Sequence, residues 1–300
     1  MTDATVPRRP GDFPFAVPVC VRHTRPVAAL FGLLGALAIG ISDIYGRRMV
    51  AVSSALTAGA SLQLFAALFL LIVATVTTSP FDGADFGWGG LSGIGLGIGI
   101  TCYYSGLVRA SSTIVAPTVA ALSALLPFAY TAVRGADVGP IQVLGALTVV
   151  AGLILVTGGS VAGEDLRGGI TWGILSGLGY SLGAVGFVEV GESEGWWPTV
   201  GQRGAAMLLL FGFALIKGVR PLPPKGHLRN ALGAGLTTGV TSLLYLAAIE
   251  ADPTIGVVAI SAFPAFSVLI GRTFFGDTVR APQAAGIALV IAGVAAVSVG

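Results

Sequence analysis

Hydroxyls and phenols set inside apolar stretches are the first residues in this sequence that could do chemistry. Thr238, Ser242 and Tyr245 stand at spacings of four and three. That spacing puts them on one helical face. Thr101 and Tyr104 repeat the hydroxyl and the phenol, with Gly97 in the place of Thr238. Such faces can line a path for a polar solute and bind it by hydrogen bonds, with Tyr104 and Tyr245 near opposite ends. The same side chains can also bond back to their own helix carbonyls or anchor at a membrane interface.

Carboxylates are few. Asp43 lies four residues before Arg47, a spacing that suits an ion pair along a helix. Held inside a membrane, it is instead a candidate for proton coupling or for a substrate amine, because intramembrane charges are expensive and usually functional. Glu189 stands in a similar place at the end of another apolar run and is the second coupling candidate. Gln202 and Arg203 fall in the first turns of an apolar run, where the guanidinium is expected to snorkel to the headgroups.

The absences exclude whole classes. His23 and His227 both lie outside the apolar runs, and no nucleophile stands beside a histidine. No metal-ligand spacing occurs, and Cys20 and Cys102 make no redox pair. No metal, no cofactor and no enzymatic activity are expected. The glycine runs "GIGLGIGI" and "GLGYSLGAVG" mimic phosphate-loop fragments, but they follow no strand and lie in apolar stretches. Close helix packing is the better reading.

The elements that must position these residues are membrane helices. The 300-residue chain is 54% hydrophobic and 10% charged, with 45 glycines and a mean hydropathy of +0.90. Soluble domains carry roughly 25% charged residues. A spanning helix needs about 20 mostly apolar residues. Ten such runs are legible, at 26–45, 55–76, 87–108, 113–133, 140–158, 169–188, 198–216, 230–249, 254–271 and 282–299. The connections are short, so none holds a nucleotide-hydrolysing domain. Pro117 and Pro264 interrupt their spans. Trp196 and Trp197 suit the membrane–water boundary. Residues 1–25 form a polar arm, and the net charge of +2 gives no sign of a nucleic-acid partner.

The chain repeats itself at an offset of 141 residues. Gly135, Val138, Gln142, Gly145, Ala151 and Gly152 recur as Gly276, Val279, Gln283, Gly286, Ala292 and Gly293. Tyr104 recurs as Tyr245, and Gly32 as Gly173. The expected domains are therefore 26–159 and 160–300, each with five spans. Five is odd, so the second half enters the membrane the other way up. The expected fold is an all-α integral membrane protein of ten transmembrane helices in two inverted five-helix repeats, with a binding site at their interface.

These residues resemble the drug/metabolite transporter superfamily, in particular its EamA-type ten-helix exporters. The second half carries that pattern as Pro264, then Gly276 and Asp277, then Gln283, Gly286 and Gly293, with aspartate in place of the usual glutamate. In the first half Ala136 replaces the acid, Ser123 aligns with Pro264, and Pro127 lies four residues later. Ser123 and Pro264 join the candidate substrate-binding residues on this alignment. The resemblance implies export across the cell membrane and cytoplasmic termini. Charge points the other way. Arg8, Arg9, Arg22, Arg25 and Arg134 share the side of the termini, while Arg47, Arg48, Arg109, Arg167, Lys217, Arg220, Lys225, Arg229, Arg272 and Arg280 lie opposite. The positive-inside rule puts that second set in the cytoplasm.

The expected activity is secondary transport of a small polar or amphipathic metabolite, such as an amino acid, by alternating access with proton coupling or exchange. The spans show almost no mid-membrane Lys or Arg, which favours a neutral or zwitterionic solute over a phosphate ester. The alternative is a flippase for a lipid-linked intermediate; a scaffold without transport has no evident use for a duplicated inverted unit. The expected partners are the small-molecule substrate and membrane lipid. The small-residue face of Gly169, Gly173 and Gly177 could pack within the chain or make a homodimer.

Overall fold

A computed structural model describes residues 25–107, 112–157, 165–191, 193–276 and 278–299, without the side chains of residues 104, 107, 112–114, 116, 117, 157 and 166. The polar arm before Arg25, Asp277 and the side chains of Tyr104 and Pro117 lie outside the described residues.

All regular elements among the described residues are helical. They are α1 (Arg25–Val50), α2 (Ala55–Val76), α3 (Gly83–Leu107), α4 (Ser112–Val133), α5 (Pro140–Thr157), α6 (Leu166–Val190), α7 (Trp197–Ile216), α8 (Leu228–Ala251), α9 (Pro253–Ile260), α10 (Phe263–Phe275) and α11 (Ala281–Val299). In lipid a helix satisfies its backbone within one segment, which is why long apolar runs take this form. Polar residues cap the starts. Ser54 accepts from Thr57 N, Asp165 from Gly168 N and Asp252 from Ile255 N. Each fills an orphan donor of the first turn.

Seven segments are long and apolar enough to cross a membrane: α1, α2, α7, α11, 167–190 of α6, α8 with the turn before it, and α9 with α10 taken together. Residues 118–133 and 140–156 are shorter apolar helices. The expected count of ten is thus matched at seven places by length and composition among the described residues.

The ninth expected span is broken in two. Proline has no N–H, and its ring clashes with the carbonyl four residues back. For Pro264 that carbonyl belongs to Ile260, the last residue of α9. Ser261 and Ala262 form the joint, and Pro264 sits in the first turn of α10. The equivalent helix α4 has Ser123 in place of Pro264 and is unbroken; it runs through Pro117 and Pro127, so the expected interruption at Pro117 does not occur.

The repeated glutamines and glycines have one purpose in both halves. Gln142 Oε1 accepts from Gly139 N at 2.7 Å, and Gln283 Oε1 accepts from Arg280 N at 3.0 Å. Each glutamine thus closes the start of its helix from the third position, one arm of a capping box. Beyond the caps, α5 and α11 cross with Gly145 against Gly293 and Gly152 against Gly286. A Cβ on any of the four would stand 2.6–2.8 Å from a backbone oxygen of the facing glycine. The rising and falling numbers make the two helices antiparallel. Gly135 and Gly276, also repeat-related, take φ of +95° and +71° in the turns that precede them. L-residues with a Cβ rarely adopt that conformation.

The two halves interleave. The first helix of each half lies on the third helix of the other, as α1 on α8 and α6 on α3. Gly95 and Gly99 of α3 meet Gly183 and Gly179 of α6 across backbone atoms. On its other side α3 packs on α7, with Gly93 against Gln202 and Gly97 against Leu209. The two glycine runs are therefore packing surfaces. Gly173 and Gly177 meet Thr118 and Leu122 of α4, so that stripe is used within the chain. The largest buried apolar cluster draws on both halves, from Ala120, Phe128 and Leu153 to Leu246, Ile255 and Val290.

Candidate functional site

Where α2, α3, α7 and α8 meet, the interior is polar. Arg203 Nε donates to Ser242 Oγ at 2.7 Å, and Arg203 Nη1 donates to Gln63 Oε1 at 3.2 Å. Ser242 Oγ donates to Gln202 Oε1 at 2.7 Å. Gln202 Nε2 donates to Ser92 Oγ at 2.8 Å, and Ser92 donates to the Gly183 carbonyl of α6 at 2.5 Å. All five side chains are buried, Arg203 at 7% exposure. Sequence reading expects Arg203 at the headgroups. Its burial corrects that: the face carrying Gln202 and Arg203 is turned onto α2, α3 and α8, and the guanidinium finds hydroxyl and amide partners there.

The helices explain the convergence. Gly93 of α3 has no side chain, so α7 approaches it at Gln202. That brings Ser92 within reach of the Gln202 amide. On α8, Ser242 faces α7, while Thr238 one turn earlier is tied to α1. Thr238 shares a hydrogen bond with Ser42 at 2.9 Å, and Ser42 also donates to the Ala234 carbonyl. The spacing puts both hydroxyls on one broad face, but they serve two different neighbours.

Tyr245 lies one turn beyond Ser242. Its ring packs on the fully buried Phe187 of α6, with centroids 5.4 Å apart. Its hydroxyl bonds to no described residue. Thr101, the repeat equivalent of Ser242, has a buried hydroxyl without a partner among the described residues. The equivalents of Gln63, Gln202 and Arg203 are Gly204, Ser61 and Leu62, so the repeat-related positions cannot build a second copy of this network. The halves share a fold, but the polar site belongs to one side of the repeat. Ser123 lies on α4 and donates to its own Ala120 carbonyl at 3.3 Å.

The two carboxylate candidates sit apart. Asp43 on α1 accepts from Ser267 Oγ of α10 at 2.5 Å and feels the charge of Arg47. The Arg47 guanidinium itself lies over the Phe275 ring, 4.5 Å from its centroid. Glu189 at the end of α6 is bound to α4. It accepts from Tyr130 at 2.6 Å and pairs with Arg134 Nε at 3.0 Å. Near it, Thr254 of α9 donates to Thr131 of α4 at 3.2 Å, and Arg25 of α1 stands 3.9 Å from Asp252. Trp197 donates to the Ser79 carbonyl and meets Phe81 edge-on. No group of three or more metal-ligating side chains occurs among the described residues.

Sequence reasoning missed Gln63, Ser92 and the placement of Arg203. A signal was present. Gln63 and Ser92 are polar residues within apolar runs, and no acidic residue lies within one turn of Arg203 along its helix.

A search of curated proteins found no match. Among solved structures, 29 chains match. One, titled only as the crystal structure of a protein, shares the fold with a TM-score of 0.71, covering 91% of this chain and 96% of its own at 19% identity. The model of the EamA-like transporter family matches twice, at residues 26–158 and 167–299. The second match begins 141 residues after the first, which is the offset of the sequence repeat. With both halves matched and apolar helices throughout, this is a multi-pass membrane protein of a transporter family rather than an enzyme family, and the chain belongs to the EamA-like transporter family.

Proposed function

We propose that this chain is a secondary transporter in the cell membrane that exports a small polar or amphipathic metabolite, such as an amino acid. It works by alternating access between two inverted five-helix halves. The ten crossings are α1 to α8, the interrupted pair α9 and α10, and α11. The observation that carries the reading is the crossing of α5 and α11 through equivalent glycines in opposite directions. Equivalent helices that meet antiparallel lie about a two-fold axis in the membrane plane, the arrangement of inverted-repeat transporters.

Rocking one half against the other exposes the interior polar network to each side in turn. On the side of Arg25 and Val299, the Tyr130–Glu189–Arg134 cluster, the Thr131–Thr254 pair and the Arg25–Asp252 pair tie the ends of α1, α4, α6, α8 and α9. These contacts form the gate that opens and closes there. Asp43 and Glu189 are the candidates for proton coupling. The candidate substrate contacts remain Thr101, Tyr104, Ser123, Thr238, Ser242, Tyr245 and Pro264, to which Arg203 and Gln63 are added.

Purified protein in liposomes tests this directly. Saturable uptake of a labelled amino acid or related metabolite, absent from protein-free vesicles, is the expected result. Transbilayer movement of lipid-linked sugars without solute flux would replace the reading with a flippase.

A further inference from the structure

Resting on the transport reading, we propose that Arg203 is the docking group for the carboxylate of an organic monoanion, with Tyr245 and Phe187 receiving its apolar body. Arg203 is the one buried charged residue among the described residues. A guanidinium keeps its charge at neutral pH. Its hydrogen-bond partners are the neutral Ser242 and Gln63, Tyr180 also lies within its electrostatic reach, and no described carboxylate pairs with it. Arg25 and Arg134, by contrast, do stand beside carboxylates, Asp252 and Glu189. A buried charge without a counter-charge is strongly unfavourable, and the carboxylate of a substrate supplies the missing one.

One edge of the guanidinium is uncommitted among the described residues. Nε and Nη1 are occupied, while Nη2 donates to no described residue. A carboxylate takes parallel hydrogen bonds from a guanidinium edge. Ser242 anchors the guanidinium, and Tyr245 stands one turn further along α8, a rise of about 4.5 Å. The phenol hydroxyl is free of described partners, and its ring continues onto Phe187. One cation beside an aromatic wall suits a monoanion with an apolar or aromatic body. A phosphate ester would need more positive charge than one guanidinium supplies.

The test uses the full chain in detergent, with acetate, benzoate, 3-phenylpropionate and the neutral 3-phenylpropionamide as probes. Thermal unfolding should rise with the carboxylates, most with the two aromatic ones, and not with the amide. Arg203→Gln should weaken carboxylate binding about 10- to 100-fold, the scale of a lost charge-assisted hydrogen bond. Arg203→Lys should retain part of it. Equal shifts by the acid and its amide, unchanged affinity in Arg203→Gln, or no shift with any carboxylate would overturn the proposal. If Arg203→Gln does not fold, the comparison of acid with amide on the native chain still decides. Flux in liposomes separates the two claims. Carboxylate binding that needs Arg203 without flux of any solute removes the transport reading and keeps the anion site. Flux of a carboxylate solute at the native rate in Arg203→Gln keeps transport and removes the anion site.

Discussion

Asp43 and Glu189 are both carboxylates near helix ends, yet their surroundings differ in kind. Glu189 is gripped by a cation and a phenol, so both oxygens are committed to holding α6 against α4. Asp43 has a single hydroxyl partner on α10, the second part of a helix broken at Ser261 and Ala262. A proton on Asp43 would change its bond to Ser267 and therefore the attachment of α1 to α10. Asp43→Asn should abolish flux driven by a pH gradient, by at least about tenfold, while exchange at equal pH persists, since a neutral amide cannot carry the proton. Gradient-driven flux at the native rate in this variant would remove Asp43 from the coupling, and the same assay on Glu189→Gln would then decide for the other candidate.

At the scale of elements, the crossing of α5 with α11 depends on four missing side chains. A Cβ at Gly152 would stand 2.7 Å from the Gly286 carbonyl oxygen and 2.8 Å from Val290 N, and both are backbone atoms that cannot rotate away. Gly152→Ala should therefore push the helices apart and destabilise by about 1–3 kcal/mol, the usual range for overpacking. Gly46 in α1 has nothing within 4 Å of its would-be Cβ. Gly46→Ala should be neutral or stabilising by up to ~1 kcal/mol, from helix propensity alone. Thermal unfolding in one detergent compares the pair. Equal effects from the two substitutions would mean that the close crossing contributes nothing.

For the whole molecule, the interleaving of the halves makes orientation a single choice. The ten crossings proposed above would place the α4–α5 turn on the side of both ends of the chain and the α7–α8 connection on the other. With Cys20 and Cys102 replaced, a cysteine at Ala136 should label from the same side as a tag after Gly300, and a cysteine at Gly226 from the opposite side. Labelling of both from one side would refute the inverted arrangement. The absolute sense of that labelling also decides between the charge bias, which puts Lys217, Arg220, Lys225 and Arg229 in the cytoplasm, and the cytoplasmic termini that the family resemblance implies.

Composition and periodicity were enough to specify lipid as the solvent, helices as the elements, and a duplication at 141 residues, because these depend on residues near one another in the chain. The Gln142 and Gln283 caps, the positive-φ glycines and the break before Pro264 are of the same local kind; the caps and glycines could be read from the repeat and the break from the proline. Partnership between helices is not local. Arg203 reaches Gln63 across 140 residues and Ser242 across 39, and nothing in the run of α7 says whether its guanidinium turns to lipid or inward. The same holds for Thr238 and Ser242, which share a helical face in sequence but bond to α1 and α7 respectively. The sequence by itself determined what each helix is made of and where it begins. Only the tertiary structure decided which faces meet, and so buried the Arg203 guanidinium with no described carboxylate beside it, because burial is set by how helices far apart in the chain pack together.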